Sequence, residues 1–89
     1  MSIQKRELTV GEKLKILRKY HGITQEELAS SLYFSIPTIS RCETDTGNIT
    51  LHMLEMLCDY YGVTLKDFFD SDFWGALIAV QELKRIIKK

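Results

Sequence analysis

Residues 35–43, "SIPTISRCE", gather the side chains whose types and order point to chemistry. An apolar pair, Ile36 and Pro37, opens a helix beside the hydroxyls of Ser35, Thr38 and Ser40 and the guanidinium of Arg41. Such a set breaks no bonds; it can read a surface. An apolar group packs against a thymine methyl in the DNA major groove, and Arg pairs with a guanine edge or meets a phosphate. Small hydroxyl and amide donors suit phosphate oxygens, and Thr44, Thr46 and Asn48 follow directly. The competing reading is structural. Ile36 is then an ordinary exposed apolar residue, or one half-buried against Tyr33, and the hydroxyls are cap and loop polarity. Pro37 fits both readings, because the first helical turn has no intrahelical use for its N–H.

No other constellation competes. There is no Gly-rich phosphate loop and no zinc-ligand cluster, and His21 and His52 stand without catalytic company. Neither catalysis nor a cofactor or metal is expected. Cys42 and Cys58 fall inside apolar helical patterns and are expected as buried, reduced thiols. No run reaches transmembrane length and no signal-peptide core precedes the first element, so a cytoplasmic protein is expected, with no membrane partner.

Eighty-nine residues make one small domain, and 45% hydrophobic content supports a modest core. The formal net charge is zero, from 12 basic and 12 acidic residues, whereas nucleic-acid modules commonly carry a basic excess. The charge is unevenly spread. Residues 5–41 set Lys5, Arg6, Lys13, Lys15, Arg18, Lys19 and Arg41 against Glu7, Glu12, Glu26 and Glu27; the remaining acids lie in residues 42–82.

The elements that must position these groups are helices opened by polar caps. Thr9 with Glu12 and Thr24 with Glu27 have capping-box spacing. They start a first helix over 10–20, with Val10, Leu14 and Leu17 inward, and a second with Leu28, Ala29 and Leu32 inward. Gly22 ends the first. Ser35 caps a third helix over 36–44, with Ile39 and Cys42 inward, and a polar loop follows. Thr50 caps a fourth carrying Leu54, Leu57, Cys58 and Tyr61, stopped by Gly62. Thr64, with Asp67 three residues on, opens a short fifth containing Leu65, Phe68 and Phe69; Ser71 or Asp72 caps a last one. The fold class is all-α: five short helices plus a C-terminal amphipathic helix.

Helices two and three are separated by only Tyr33, Phe34 and Ser35, a tight corner that suits a helix-turn-helix. The stretch 11–69 resembles the phage-repressor and Cro type of helix-turn-helix domain, the Xre family, through "LKILR", "GITQEELA", "TISRCE" and "GVTLKDFF" in order. The resemblance implies a lambda-repressor-like DNA-binding domain over 9–70; in the N-terminal arm before it, 1–8, Lys5 and Arg6 can follow the DNA backbone or simply belong to a solvated terminus. It implies that Gln25 sits against a phosphate and that helix three reads bases through Ile36, Pro37, Thr38, Ser40 and Arg41. It also implies a structural pair between Arg18 and Glu43. Two departures stand out: Tyr33 occupies a turn position normally held by Gly, and no Gly directly follows Glu43.

The tail, 71–89, carries an apolar stripe of Phe73, Leu77, Val80 and Ile87 with Leu83 nearby and Trp74 and Ile78 beside it, ending in Lys84, Arg85, Lys88 and Lys89. The stripe is too broad for a helix alone in water. It can pair with a second chain through Phe73, Trp74, Leu77, Val80, Leu83 and Ile87, or fold back on its own domain. The expected function is a sequence-specific DNA-binding regulator, a repressor by preference and a homodimer on double-stranded DNA, with a regulatory protein as a further possible partner. The alternatives are a protein-binding module using the same corner, and the DNA-binding part of a larger regulator.

Overall fold

A computed structural model of the chain describes residues 7–87, with side chains as far as Leu83. These residues form six α-helices and no strand: α1 Val10–Tyr20, α2 Gln25–Leu32, α3 Ile36–Thr44, α4 Leu51–Tyr61, α5 Leu65–Phe68 and α6 Ser71–Ile87. The all-α expectation holds. Lys5 and Arg6 of the expected arm, and the Ile87 side chain, lie outside the described residues. The chain divides into two compact units, 1–50 and 51–89.

The caps form where the sequence places them. The Glu12 N–H donates to Thr9 Oγ1 at 3.1 Å and the Thr9 N–H returns to Glu12 Oε1 at 2.9 Å. Thr24 and Glu27 repeat the exchange at 3.0 and 2.8 Å. Ser35 and Thr64 each accept from the amide three residues on. α6 differs from expectation. Neither Ser71 nor Asp72 caps it: Asp70 Oδ1 accepts the Asp72 N–H at 2.9 Å, since the carboxylate one residue earlier already reaches the open amide.

Four helix ends close in one way. Gly22, Tyr33, Asp45 and Gly62 take positive φ values of 70°, 59°, 60° and 73°. The next amide then reaches back into the helix in a Schellman closure: Ile23 to Arg18 O, Phe34 to Ala29 O, Thr46 to Arg41 O, Val63 to Cys58 O. Left-handed backbone costs a non-Gly residue about 1–2 kcal/mol. Tyr33 recovers none of this by packing, being 95% exposed. The adjoining burial is the larger effect: Leu28 and Ile39, at 1% exposure on either side of the turn, each contribute about 1.5–3 kcal/mol.

In the first unit α1 and α2 both pack on α3, and Leu14, Leu17, Leu28, Ala29, Ile39 and Cys42 are buried. Gly11 permits the close approach of α1. A Cβ there would stand 2.7 Å from the carbonyl oxygens of Cys42 and Glu43 and from Asp45 Oδ2. In the second unit α5 contacts α4 and α6, and Leu54, Leu57, Cys58, Tyr61, Phe68 and Trp74 are buried. Trp74, expected at a dimer interface, belongs instead to this core. It is 2% exposed, its ring meets Phe68 edge-on at 5.6 Å, and its Nε1–H donates to Phe68 O at 2.6 Å. A buried indole needs such an acceptor, and the end of α5 supplies one. Phe69, beside Phe68, is 58% exposed.

Both cysteines are free and buried. Burial, helped by Asp59, pushes the Cys58 thiol up to about 11. Burial, helped by Glu43, also raises Cys42. Burial thus disfavours the thiolate at both positions.

Replacing Tyr33 by Gly relieves the left-handed strain and adds about 0.4–1 kcal/mol of unfolded-chain entropy. The Tyr33→Gly variant should therefore be more stable by about 0.5–1 kcal/mol in denaturant unfolding. A loss of stability would mean that the exposed ring supports the fold after all.

Candidate nucleic-acid interface

The corner of α2 and α3 is locked from beneath by one carboxylate. Glu43, near the end of α3, is buried. It accepts from Arg18 Nε at 2.7 Å and Nη2 at 3.1 Å, a bidentate pair from α1. Gln25 Nε2, at the start of α2, donates to the same carboxylate at 3.1 Å. Arg18 Nη1 donates to Ile23 O at 2.9 Å, tying in the α1–α2 connection. The side chains of Arg18 and Glu43 are only 11% and 3% exposed, so the pair lies largely out of water. The Arg18–Glu43 pair implied by the sequence is present. Gln25 is half-buried and has one of its two amide hydrogens committed to Glu43.

With Ile39, Cys42 and Glu43 turned inward, α3 presents the opposite face. Ile36, Pro37, Arg41 and Thr44 are exposed there; Thr38 and Ser40 are half-buried. Ile36 is 45% exposed, and Tyr33 at 95% gives it no cover, so the two are not packed together as the structural reading supposed. The stem of Arg41 lies against Gly47, where an added Cβ would stand 3.3 Å from Arg41 Cβ and 3.6 Å from Cδ.

The hydroxyls divide by what they have already spent. Thr44 Oγ1 donates to Ser40 O at 2.9 Å and lies 2.9 Å from Thr46 Oγ1. With its proton spent, Thr44 accepts from Thr46, so neither keeps a proton for a phosphate. Ser35 Oγ caps α3 and pairs with Thr38 Oγ1 at 2.8 Å, which leaves one hydroxyl proton of that pair outward. Asn48 is exposed in the loop. Among the described residues no three His, Cys, Asp or Glu side chains gather as metal ligands.

Sequence reasoning missed Asp45. It closes α3 in left-handed backbone, while its carboxylate accepts the Gly11 N–H at 2.8 Å and the Thr9 hydroxyl at 2.6 Å. The C-terminus of α3 is thereby fastened to the N-terminus of α1. The available signal was local: Asp tolerates left-handed backbone better than most residues. Its long-range partner has no short spacing to reveal it.

A family model described as a helix-turn-helix domain matches residues 9–67. The antitoxin PezA of Streptococcus pneumoniae is 30% identical over 63 residues, 71% of this chain and 40% of PezA. The HTH-type transcriptional regulator DdrOP3 of Deinococcus deserti is 31% identical over 65 residues, 72% of this chain and half of that protein. An uncharacterized HTH-type transcriptional regulator of Methanocaldococcus jannaschii is 35% identical over 57 residues, 64% of this chain and 86% of its own length. The chain thus spans half or less of the first two relatives. No solved structure matches it significantly.

Breaking one side of a buried pair strands the other charge. Glu43→Ala, which leaves Arg18 without its carboxylate, should cost about 3–5 kcal/mol in denaturant unfolding. Exchanging both partners for apolar residues, as in Arg18→Met with Glu43→Leu, should cost far less. Equal losses in the single and double variants would show that the ion pair is not the source of the effect.

Proposed function

We infer the function from one premise: the chain belongs to the helix-turn-helix domain family. On it, the protein is a sequence-specific DNA-binding transcriptional regulator, and in our reading a repressor. The observation that carries this is the outward face of α3, Ile36, Pro37 and Arg41, held on a corner that Glu43 locks to α1 and α2. In the major groove, Ile36 and Pro37 meet thymine methyls and Arg41 takes a guanine edge. Gln25, Thr38, Ser40 and Asn48 meet phosphates, while Ser35 caps the start of α3. Thr44 and Thr46, with their protons spent, serve as the brace between α3 and the following loop. No catalysis is proposed. A regulator of this kind works in the cytoplasm, and among the described residues no helix is long and apolar enough to cross a membrane.

The zero net charge and the exposed apolar corner of Tyr33, Ile36 and Pro37 favour a second reading, a protein-binding module. Salt separates the two: DNA binding weakens steeply as counterions are released, apolar docking does not. The greater length of PezA and DdrOP3 supports a third form, in which this chain is the DNA-binding part of a larger regulator.

Two half-sites about one helical turn apart call for two chains at a fixed separation. We assign the contact to the later turns of α6, where Ile78, Val80 and Leu83 are 37%, 42% and 56% exposed and Leu77 is half-buried. Phe73 and Ile87 continue the stripe, and the same patch serves both chains.

Selection from a random duplex pool tests binding and reports the half-site. On the selected duplex Arg41→Ala should cost about 1–3 kcal/mol and relax one position. A uniform loss on all sequences would make Arg41 a phosphate contact instead. By sedimentation the intact chain should be a dimer, and Val80→Glu with Leu83→Glu a folded monomer. A monomeric intact chain at high micromolar concentration would rule out a stable dimer through α6.

A further inference from the structure

Among the four helix ends that close in left-handed backbone, Tyr33 is set apart. Gly22 and Gly62 adopt that conformation without strain. Asp45 uses its side chain to hold Gly11 and Thr9. Tyr33 is a large aromatic residue in left-handed backbone whose side chain is 95% exposed. The fold gains nothing from the ring and is strained by the residue that carries it. Strain kept where a smaller residue would close the same turn marks a position with another task.

The charges around it name the task. No Lys or Arg occurs between Lys19 and Arg41, and the interval contains Glu26 and Glu27. All of α2, the turn and the start of α3 fall in this gap. In a helix-turn-helix the helix before the turn crosses the DNA backbone, so phosphates must be met there. The donors have to be uncharged. Their capacity is partly committed within the fold: Thr24 Oγ1 caps α2, Gln25 Nε2 keeps one proton beside the one given to Glu43, and Ser35 and Thr38 keep one hydroxyl proton between them. Ser30 and Ser31 are exposed but short. Tyr33 combines an O–H donor with the longest reach of this set, at the point where the chain leaves α2 for α3.

We propose that the Tyr33 phenol donates to a DNA phosphate beside the half-site, as an uncharged clamp on the corner. The inference rests on the DNA-binding reading above. It adds a contact that holds the corner to the backbone without releasing a counterion, in a segment where the chain places no cation.

The test uses the full chain, the duplex it selects from a random pool, and an unrelated duplex of equal length. Tyr33→Phe keeps the ring and the backbone strain and removes only the hydroxyl. It should weaken binding about 10-fold or more, by a similar factor on both duplexes, as loss of one hydrogen bond to a charged acceptor does. The slope of affinity against salt should stay that of the wild type, since no cation is lost. Tyr33→Gly should weaken binding at least as much although it unfolds at higher denaturant. If the wild type binds and Tyr33→Phe binds both duplexes equally well, the phenol makes no phosphate contact and the inference falls while the DNA-binding reading stands. A loss confined to the selected duplex would make Tyr33 a base contact and overturn the assignment. A wild type that binds neither duplex removes the DNA-binding reading, and the inference with it.

Discussion

One buried carboxylate sets the geometry of the recognition corner. Glu43 gathers donors from α1 and α2 onto α3, so the three helices of the first unit meet at a single charged group. Burying such a pair costs desolvation that its attraction roughly returns, so it adds little to the net stability of the fold. What it supplies is register. A bidentate guanidinium accepts one orientation of its partner, and an apolar contact in the same place would tolerate several. A helix that is to read base edges, as proposed for α3, requires its rotation about its own axis to be fixed.

The same unit shows how a chain of zero net charge can still be built to face a polyanion. Its cations flank the corner at Lys15, Lys19 and Arg41, all exposed, while the corner itself offers hydroxyls, an amide and apolar groups. Under the proposed reading, long-range attraction comes from these cations and close contact from Arg41 together with the neutral groups. The strain at the turn is small against the burial of Leu28 and Ile39 beside it, so the turn can carry a residue chosen for its side chain and not for its backbone.

The sequence made the periodic and local features legible. Capping boxes at Thr9 and Thr24, the cap at Ser35 and the inward positions of the first three helices all depend on spacings of three or four residues, and all were found. The departures arise where a partner lies far along the chain or where chemistry at one atom decides. Trp74 reads as stripe until its indole N–H is seen to need the Phe68 carbonyl. Asp70 caps α6 because its carboxylate reaches back-to-front across one residue, a choice among three polar neighbours that spacing does not rank. Gly11 looks like any residue of a first helical turn, and only the carbonyls of Cys42 and Glu43 facing it explain its lack of a side chain. For the site, the set on α3 came from the family resemblance, and Thr38 and Ser40 of that set are half-buried; the committed state of Thr44 and Thr46 was not legible, because hydroxyl partners are set by three-dimensional distance.

Asp45 gives the recognition helix a built-in reporter. Its carboxylate receives the Gly11 amide proton at a donor–acceptor distance of 2.8 Å, from a residue on a different helix and off the outward face of α3. The resonance frequency of an amide proton follows the length and angle of its hydrogen bond. A tilt or roll of α3 relative to α1 would move Asp45 against Gly11 and shift the Gly11 proton resonance. Glycine amides occupy a sparse region of a nitrogen–proton correlation spectrum, so the seating of the helix becomes visible as the displacement of one well-separated peak.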